Sequence, residues 1–206
     1  MLPLSTRIAW SPAGLSRRAA IAAGVGAVSR DSAVVVWCAR SGKMLWKARL
    51  NALAVSVRFS SNGEMLVALD VAGYAWLFDV DTGGFMGVVG ITKSAQKTRP
   101  GAAAVAGAVS GSAGKQPATS SSSGTTSTER VFFVRLSSDG QLLYATTSKG
   151  LRVIEVASGE ELFQTVHDSK MAKRLGALAM SDDDALVAAA SLDDHSIYVL
   201  ERNSAR

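Results

Sequence analysis

Cysteine is nearly absent: Cys38 is the only one in 206 residues. No intrachain disulfide can form, and a reducing compartment is expected. Histidine is scarce, with two copies, His167 and His195. No Ser-His-Asp arrangement can be built without taking structural positions. His195 sits in the turn Asp193-Asp194-His195-Ser196 and reads as solvated. Long apolar runs are missing too. The longest, Ala19 to Val28, has ten residues, whereas a membrane-spanning helix needs about 20.

Other motifs fall short. Gly24-Val25-Gly26 is followed by no helical pattern, so it is no dinucleotide fingerprint. Ala113-Gly114-Lys115 lacks the upstream Gly and following Ser or Thr that cradle phosphate. Asp182-Asp183-Asp184 is the one acidic cluster and reads as a polar turn, since Ca²⁺ loops space their carboxylates. Cys38 reads as a small packed side chain. The expectation is a non-enzymatic chain with no catalytic residues, no metal site and no cofactor.

What the chain has is repetition. Apolar residues make up 48%, much of it Val, Ala, Leu and Ile in short runs that suit strands. Arg58 to Gly83 shows the pattern. Phe59 closes one run, Asn62-Gly63 turns, Met65 to Leu69 is the second, Asp70 to Gly73 turns, and Tyr74 to Phe78 is the third. Asp81-Thr82-Gly83 leads to a fourth run, Phe85 to Val89.

An apolar residue followed by Ser recurs at Trp10-Ser11, Phe59-Ser60, Leu136-Ser137 and Met180-Ser181. Gly14, Gly63 and Gly140 lie three residues after the serine in three copies, and Asp184 stands there in the fourth. The third runs align as Val34 to Trp37, Tyr74 to Phe78, Arg152 to Ile154 and Ile197 to Leu200. The serines are 49, 77 and 44 residues apart, and removing the 38 residues of 93–130 leaves 77 − 38 = 39. Each unit then has the length of a four-stranded propeller blade, roughly 40 to 45 residues. Ser16-Arg17-Arg18 ahead of Ala19 to Val28 looks superficially like an export signal. The repeat instead places that apolar run at the second strand of a blade.

On these residues the sequence resembles the WD-repeat β-propeller family, over almost everything outside 93–130. The predicted fold is all-β, about four degenerate four-stranded blades near 5–50, 51–92, 131–166 and 167–206. In that family an Asp between second and third strands, a His at the blade entrance and a Trp ending the third strand share a hydrogen-bond network. The resemblance puts Asp31 and Asp194 at the Asp position, Trp37 at the Trp and His167 at the His. Ala72 and Ser148 replace the Asp, and Phe78, Ile154 and Leu200 replace the Trp. The Trp-Asp dipeptide is absent.

Residues 93–130 read as a disordered low-complexity insertion, with Pro100, Pro117 and a run from Ser120 to Ser123. They hold Lys93, Lys97, Arg99, Lys115 and Arg130 against Glu129, 5 − 1 = +4 of a net charge of +5. Lys93, Lys97, Arg99 and Lys115 are candidates for contact with RNA phosphates. The fourth blade lacks a fourth strand, which Met1 to Leu4 could supply. WD-type rings usually need about seven blades, so a partner chain or further residues are expected to complete the propeller.

The order of the blades and their turn lengths also resemble nucleolar WD-repeat subunits of the UtpA subcomplex of the small-subunit processome. Leu142 to Glu155, Ala185 to Ala190 and Ala23 to Ala27 carry that likeness. It implies a scaffold for other protein subunits in ribosome biogenesis and pre-rRNA processing, in the nucleolus or nucleus, with RNA touched through phosphates and no membrane. The alternative is a cytoplasmic adaptor in trafficking, cytoskeletal or ubiquitin-ligase complexes.

Overall fold

The computed structural model describes residues 7–10, 20–25, 32–97, 129–164, 174–181 and 183–202. They form fifteen strands in four antiparallel sheets, each a meander in chain order. The first sheet is β1 (Arg7–Trp10), β2 (Ala20–Val25), β3 (Ala33–Cys38) and β4 (Met44–Arg49). The second is β5 (Ala54–Phe59), β6 (Met65–Asp70), β7 (Tyr74–Asp79) and β8 (Phe85–Gly90). β9 (Val131–Leu136), β10 (Leu142–Thr147), β11 (Gly150–Glu155) and β12 (Glu161–Gln164) make the third. The fourth has three strands, β13 (Leu175–Met180), β14 (Leu186–Ser191) and β15 (Ile197–Glu201). The apolar run behind Arg17-Arg18 thus supplies β2, while Met1 to Leu4 lies outside the described residues.

The repeated serine closes the first turn of the second, third and fourth blades, and Ser11 lies outside the described residues. Ser60, Ser137 and Ser181 each accept a hydrogen bond at Oγ from the backbone N–H five residues on, at 2.9 Å in all three cases. Each hydroxyl can then donate to the side chain two residues on: Asn62 at 2.6 Å, Asp139 at 2.5 Å and Asp183 at 2.6 Å. That acceptor also takes the N–H of residue i+4, from Glu64, Gln141 and Ala185. The chain must reverse with φ > 0 between them, at Gly63 (73°), Gly140 (69°) and Asp184 (58°). The second recurring turn follows the third strand. Asp79 accepts from the N–H and hydroxyl of Thr82, and Glu155 from the hydroxyl of Ser158.

Alternation along the strands gives each sheet two apolar faces, and these meet between sheets. Val34, Val36, Val57, Trp76 and Phe78 join the first sheet to the second. Leu69, Leu77, Val134, Leu143 and Ile154 join the second to the third. Tyr144, Leu151, Leu175, Val187 and Ala189 join the third to the fourth. The first strands line up, β1 against β5, β5 against β9 and β9 against β13. They are therefore innermost, and the fourth strands lie at the rim. Among the described residues no extended contact joins the fourth sheet back to the first.

The segment expected to be disordered from 93 begins instead with a helical turn, α1 (Lys93–Lys97). Thr92 starts it, its Oγ1 accepting the Ala95 N–H at 3.2 Å. Ala95 is buried, and an added Cβ on Gly90 would come within 2.7 Å of the α1 backbone, so glycine is what lets α1 lie on β8. At the far end Glu129 and Arg130 are also ordered, Arg130 donating its N–H to Ser148 Oγ at 3.1 Å. Residues 98–128 lie outside the described residues.

Candidate functional site

Three blades carry a polar device at one structurally equivalent place, where the second strand hands over to the third. Register aligns Asp70 with Tyr74 across β6–β7 and Thr147 with Gly150 across β10–β11. It likewise brings Ser191 opposite Ser196 at the end of β14. Two residues beyond each partner stands a large side chain with a polar tip: Trp76, Arg152 and Tyr198.

In the second blade Asp70 is 2% exposed. Its Oδ1 accepts the N–H groups of Ala72 at 2.9 Å and Tyr74 at 3.0 Å, and its Oδ2 accepts Trp76 Nε1–H at 2.8 Å. Burial pushes the Asp70 carboxyl above its ordinary range, and these hydrogen bonds pull the other way. The Asp–Trp pair thus falls at 70 and 76, whereas the sequence alignment placed Ala72 and Phe78 at those roles. Phe78 instead packs in the core against Trp46 and Phe85. The missed signal was the register: Asp70 ends β6 and starts the turn, two residues earlier than the alignment set it.

In the third blade Arg152 replaces the Trp and is 1% exposed. Its guanidinium meets Glu129 twice, Nε–Oε1 at 2.9 Å and NH2–Oε2 at 2.7 Å, and also meets Glu161. A fork on a carboxylate is the geometry Arg favours. It ties the strand to the residue where the chain re-enters the sheet after 128. The Asp position is filled by Thr147, whose hydroxyl donates to Gly150 O at 3.0 Å and accepts the Lys149 N–H. In the fourth blade Tyr198 donates to Asp194 Oδ2 at 2.7 Å, and Asp194 Oδ1 accepts the Ser196 N–H at 3.2 Å.

Of the other residues singled out from the sequence, Trp37 is the half-buried penultimate residue of β3, before Cys38. Asp31 and His167 lie outside the described residues, so no three-member network can be traced through them. Cys38 takes the place that Asp79 and Glu155 hold in the next two blades, and the Ser41 hydroxyl beside it lowers its thiol pKa. Lys93 is exposed at the start of α1, directly after rim strand β8. Lys97 ends α1, and Arg99 and Lys115 lie outside the described residues. Among the described residues no three His, Cys, Asp or Glu side chains gather as metal ligands, and no helix is long and apolar enough to cross a membrane.

Besides Met44, Leu53, Val71 and Leu192, the exposed large apolar side chains among the described residues fall in two places. One is the rim, with Met86 at 55%, Leu162 at 55% and Phe163 at 47% exposure. The other is the face of the fourth sheet turned away from the third, with Leu186 at 43%, Ile197 at 72% and Val199 at 62%. Exposed apolar clusters of this kind mark contact surfaces.

No family model matches the sequence, and no curated protein matches it. Among solved structures, the β-propeller domain of Cps50 (Swd1) from Myceliophteria thermophila is similar at a TM-score of 0.60 and 15% identity, over 95% of this chain and 51% of that one. The computationally designed protein Ika4 is similar at a TM-score of 0.58 and 12% identity, over 98% of this chain and 93% of that one. The chain therefore spans about half the length of the natural propeller domain it matches. At these identities the likeness is one of fold, and the fold is that of a β-propeller.

Proposed function

We propose that the chain is a non-enzymatic WD-repeat scaffold that binds other protein subunits at its propeller rim. The observation that carries this reading is the contrast between two kinds of surface. The buried charged side chains of the second and third blades are engaged in holding turns and strands: Asp70 with Trp76, and Arg152 with Glu129 and Glu161. The rim meanwhile exposes Met86, Leu162 and Phe163, large and adaptable side chains of the type enriched in protein interfaces.

The finer reading places this scaffold in the nucleolus, among subunits that act on precursor ribosomal RNA. It is supported by the order of the blades in the sequence and by the basic residues Lys93, Lys97, Arg99 and Lys115 that follow β8. Three or four phosphate contacts give a modest, salt-sensitive attachment. Affinity purification of the tagged chain tests both levels. Recovery of nucleolar subunits with precursor ribosomal RNA supports the finer reading. Recovery of coat, motor or ubiquitin-ligase subunits leaves the scaffold and removes the nucleolar assignment. Recovery of no partner that Met86→Lys or Phe163→Asp weakens would remove the rim.

A further inference from the structure

Charge is divided unevenly along the chain. Residues 1–63 hold nine Lys or Arg against one acid, Asp31, 9 − 1 = +8. Residues 64–206 hold thirteen against sixteen, 13 − 16 = −3. No Asp or Glu occurs from Ser32 to Gly63. An asymmetry of this size points to a polyanionic partner for the first part of the chain.

The fold brings four of these cations to one edge. β4 is the last strand of the first sheet and lies at the rim. Trp46 and Ala48 on it pack toward the second sheet. Lys47 and Arg49, at the alternate positions, therefore turn away from that sheet, and both are exposed. Arg40 and Lys43 are exposed in the turn that leads into β4, a turn closed by the Gly42 N–H on Cys38 O at 2.8 Å. At roughly 3.3 Å per residue, Lys43 to Arg49 spans about 20 Å. Among the described residues Arg40, Lys43 and Lys47 meet no carboxylate. Asp79 and Asp81 of the second blade flank Val80, whose carbonyl Trp46 reaches. They thus lie on the side of β4 that Lys47 and Arg49 turn away from.

We infer that this edge binds the phosphodiester backbone of a single-stranded nucleic acid. Four exposed cations in single file match a linear anion. An anionic lipid surface asks for apolar side chains to insert beside the charge, and Met44 is the one large exposed apolar side chain in the row. Nothing in the row reads a base. Trp46, the one aromatic of β4, is turned inward and held at Val80. No ring is offered for stacking, so binding is expected to be independent of sequence. The row takes in neither Met86, Leu162 and Phe163 nor the basic residues after β8. The inference therefore goes beyond the scaffold reading and stands or falls separately from it.

Fluorescence anisotropy of a labelled, mixed-sequence single-stranded RNA with the full chain, across a salt series, reads the number of phosphates contacted. Four contacts give a slope of log affinity on log salt of about −3, a weakening of about 50-fold from 50 to 200 mM. Lys43→Ala combined with Lys47→Ala should bring the slope to about −1.4 and the weakening to about 7-fold, with the β-sheet circular dichroism retained. Both positions are exposed, and Arg40→Ala with Lys43→Ala is a second pair should the first fail to fold. No binding to the RNA overturns the inference, as does binding that neither pair weakens. Stronger binding to phosphatidylserine vesicles or to polyglutamate than to the RNA overturns it too. A slope reduced by Lys93→Ala with Lys97→Ala and untouched by the β4 pair assigns the RNA to the residues after β8. That outcome overturns the inference and leaves the nucleolar reading standing.

Discussion

Trp76 Nε1 donates a 2.8 Å hydrogen bond to Asp70 Oδ2, with both side chains buried and six positions apart in sequence. The bond crosses from the start of a turn to the middle of the next strand. It fixes the length of that turn as well as its path.

Asp70→Ala should cost about 3 kcal/mol, because it strips an acceptor from the Trp76 indole and from two backbone N–H groups. Trp76→Phe removes one donor and keeps the bulk, so about 1–2 kcal/mol is expected. Urea denaturation of the three proteins measures both. The pH dependence has a definite sign. The folded pKa of Asp70 is raised, so its contribution is fully present below the unfolded pKa and is lost as pH rises through the folded one. The stability of the wild type relative to Asp70→Asn should therefore fall from acid toward neutral pH.

Ser137→Ala should weaken the third blade by about 1 kcal/mol, since the hydroxyl both accepts the Leu142 N–H and donates to Asp139. The Ser137 hydroxyl is the first cause holding the Asp139 carboxyl below its ordinary range, followed by the Gln141 N–H. A lowered folded pKa gives stability above the unfolded pKa that is lost as pH falls through the folded value. The variant should show a shallower loss of stability on acidification, read from denaturation midpoints across the carboxylate range.

Arg152→Met leaves the Glu129 carboxylate, 5% exposed, without its partner. A loss of about 3–5 kcal/mol is expected. Adding Glu129→Gln should recover much of it, because the orphaned charge is then gone. A thermal melt of the single and double variants decides this, and a double variant no better than the single one would show that the fork itself carries the stability.

Gly42 and Gly83 make a controlled pair. Both have positive φ, 65° and 70°. An added Cβ at Gly42 meets nothing within 4 Å, whereas at Gly83 it comes within 2.6 Å of Trp46 Cγ. Gly42→Ala should cost the backbone penalty alone, about 1 kcal/mol. Gly83→Ala should cost more and shift the Trp46 fluorescence, because Trp46 is held there by a 2.8 Å bond from Nε1 to Val80 O.

The blade count, most strand positions and the turn serines were legible because each blade repeats them. Ser60, Ser137 and Ser181 do the same work in the same geometry, and identical work leaves identical letters. The polar pairs were not legible, since each blade solves that position differently: Asp70 with Trp76, Arg152 with Glu129, and Tyr198 with Asp194. Aligning by residue type looked for one answer and misplaced it at Ala72 and Phe78. Pairing register, which alternates faces every residue, is what recovers the correspondence. The start of α1 was hidden for another reason: Thr92 and Gly90 are ordinary residues until the helical turn is seen lying on β8.

Asp184 holds the left-handed position that glycine holds in two earlier blades, and its carboxylate crosses to the third blade. There Oδ2 accepts both the N–H and the hydroxyl of Ser138 at 2.5 Å. A glycine could not make this link. Near-identical modules run the hazard of docking in the wrong sequence, since any apolar face fits any other moderately well. An acid that reaches one neighbour's serine acts as a key, giving the fourth module an address beside the third that its apolar surface alone does not encode.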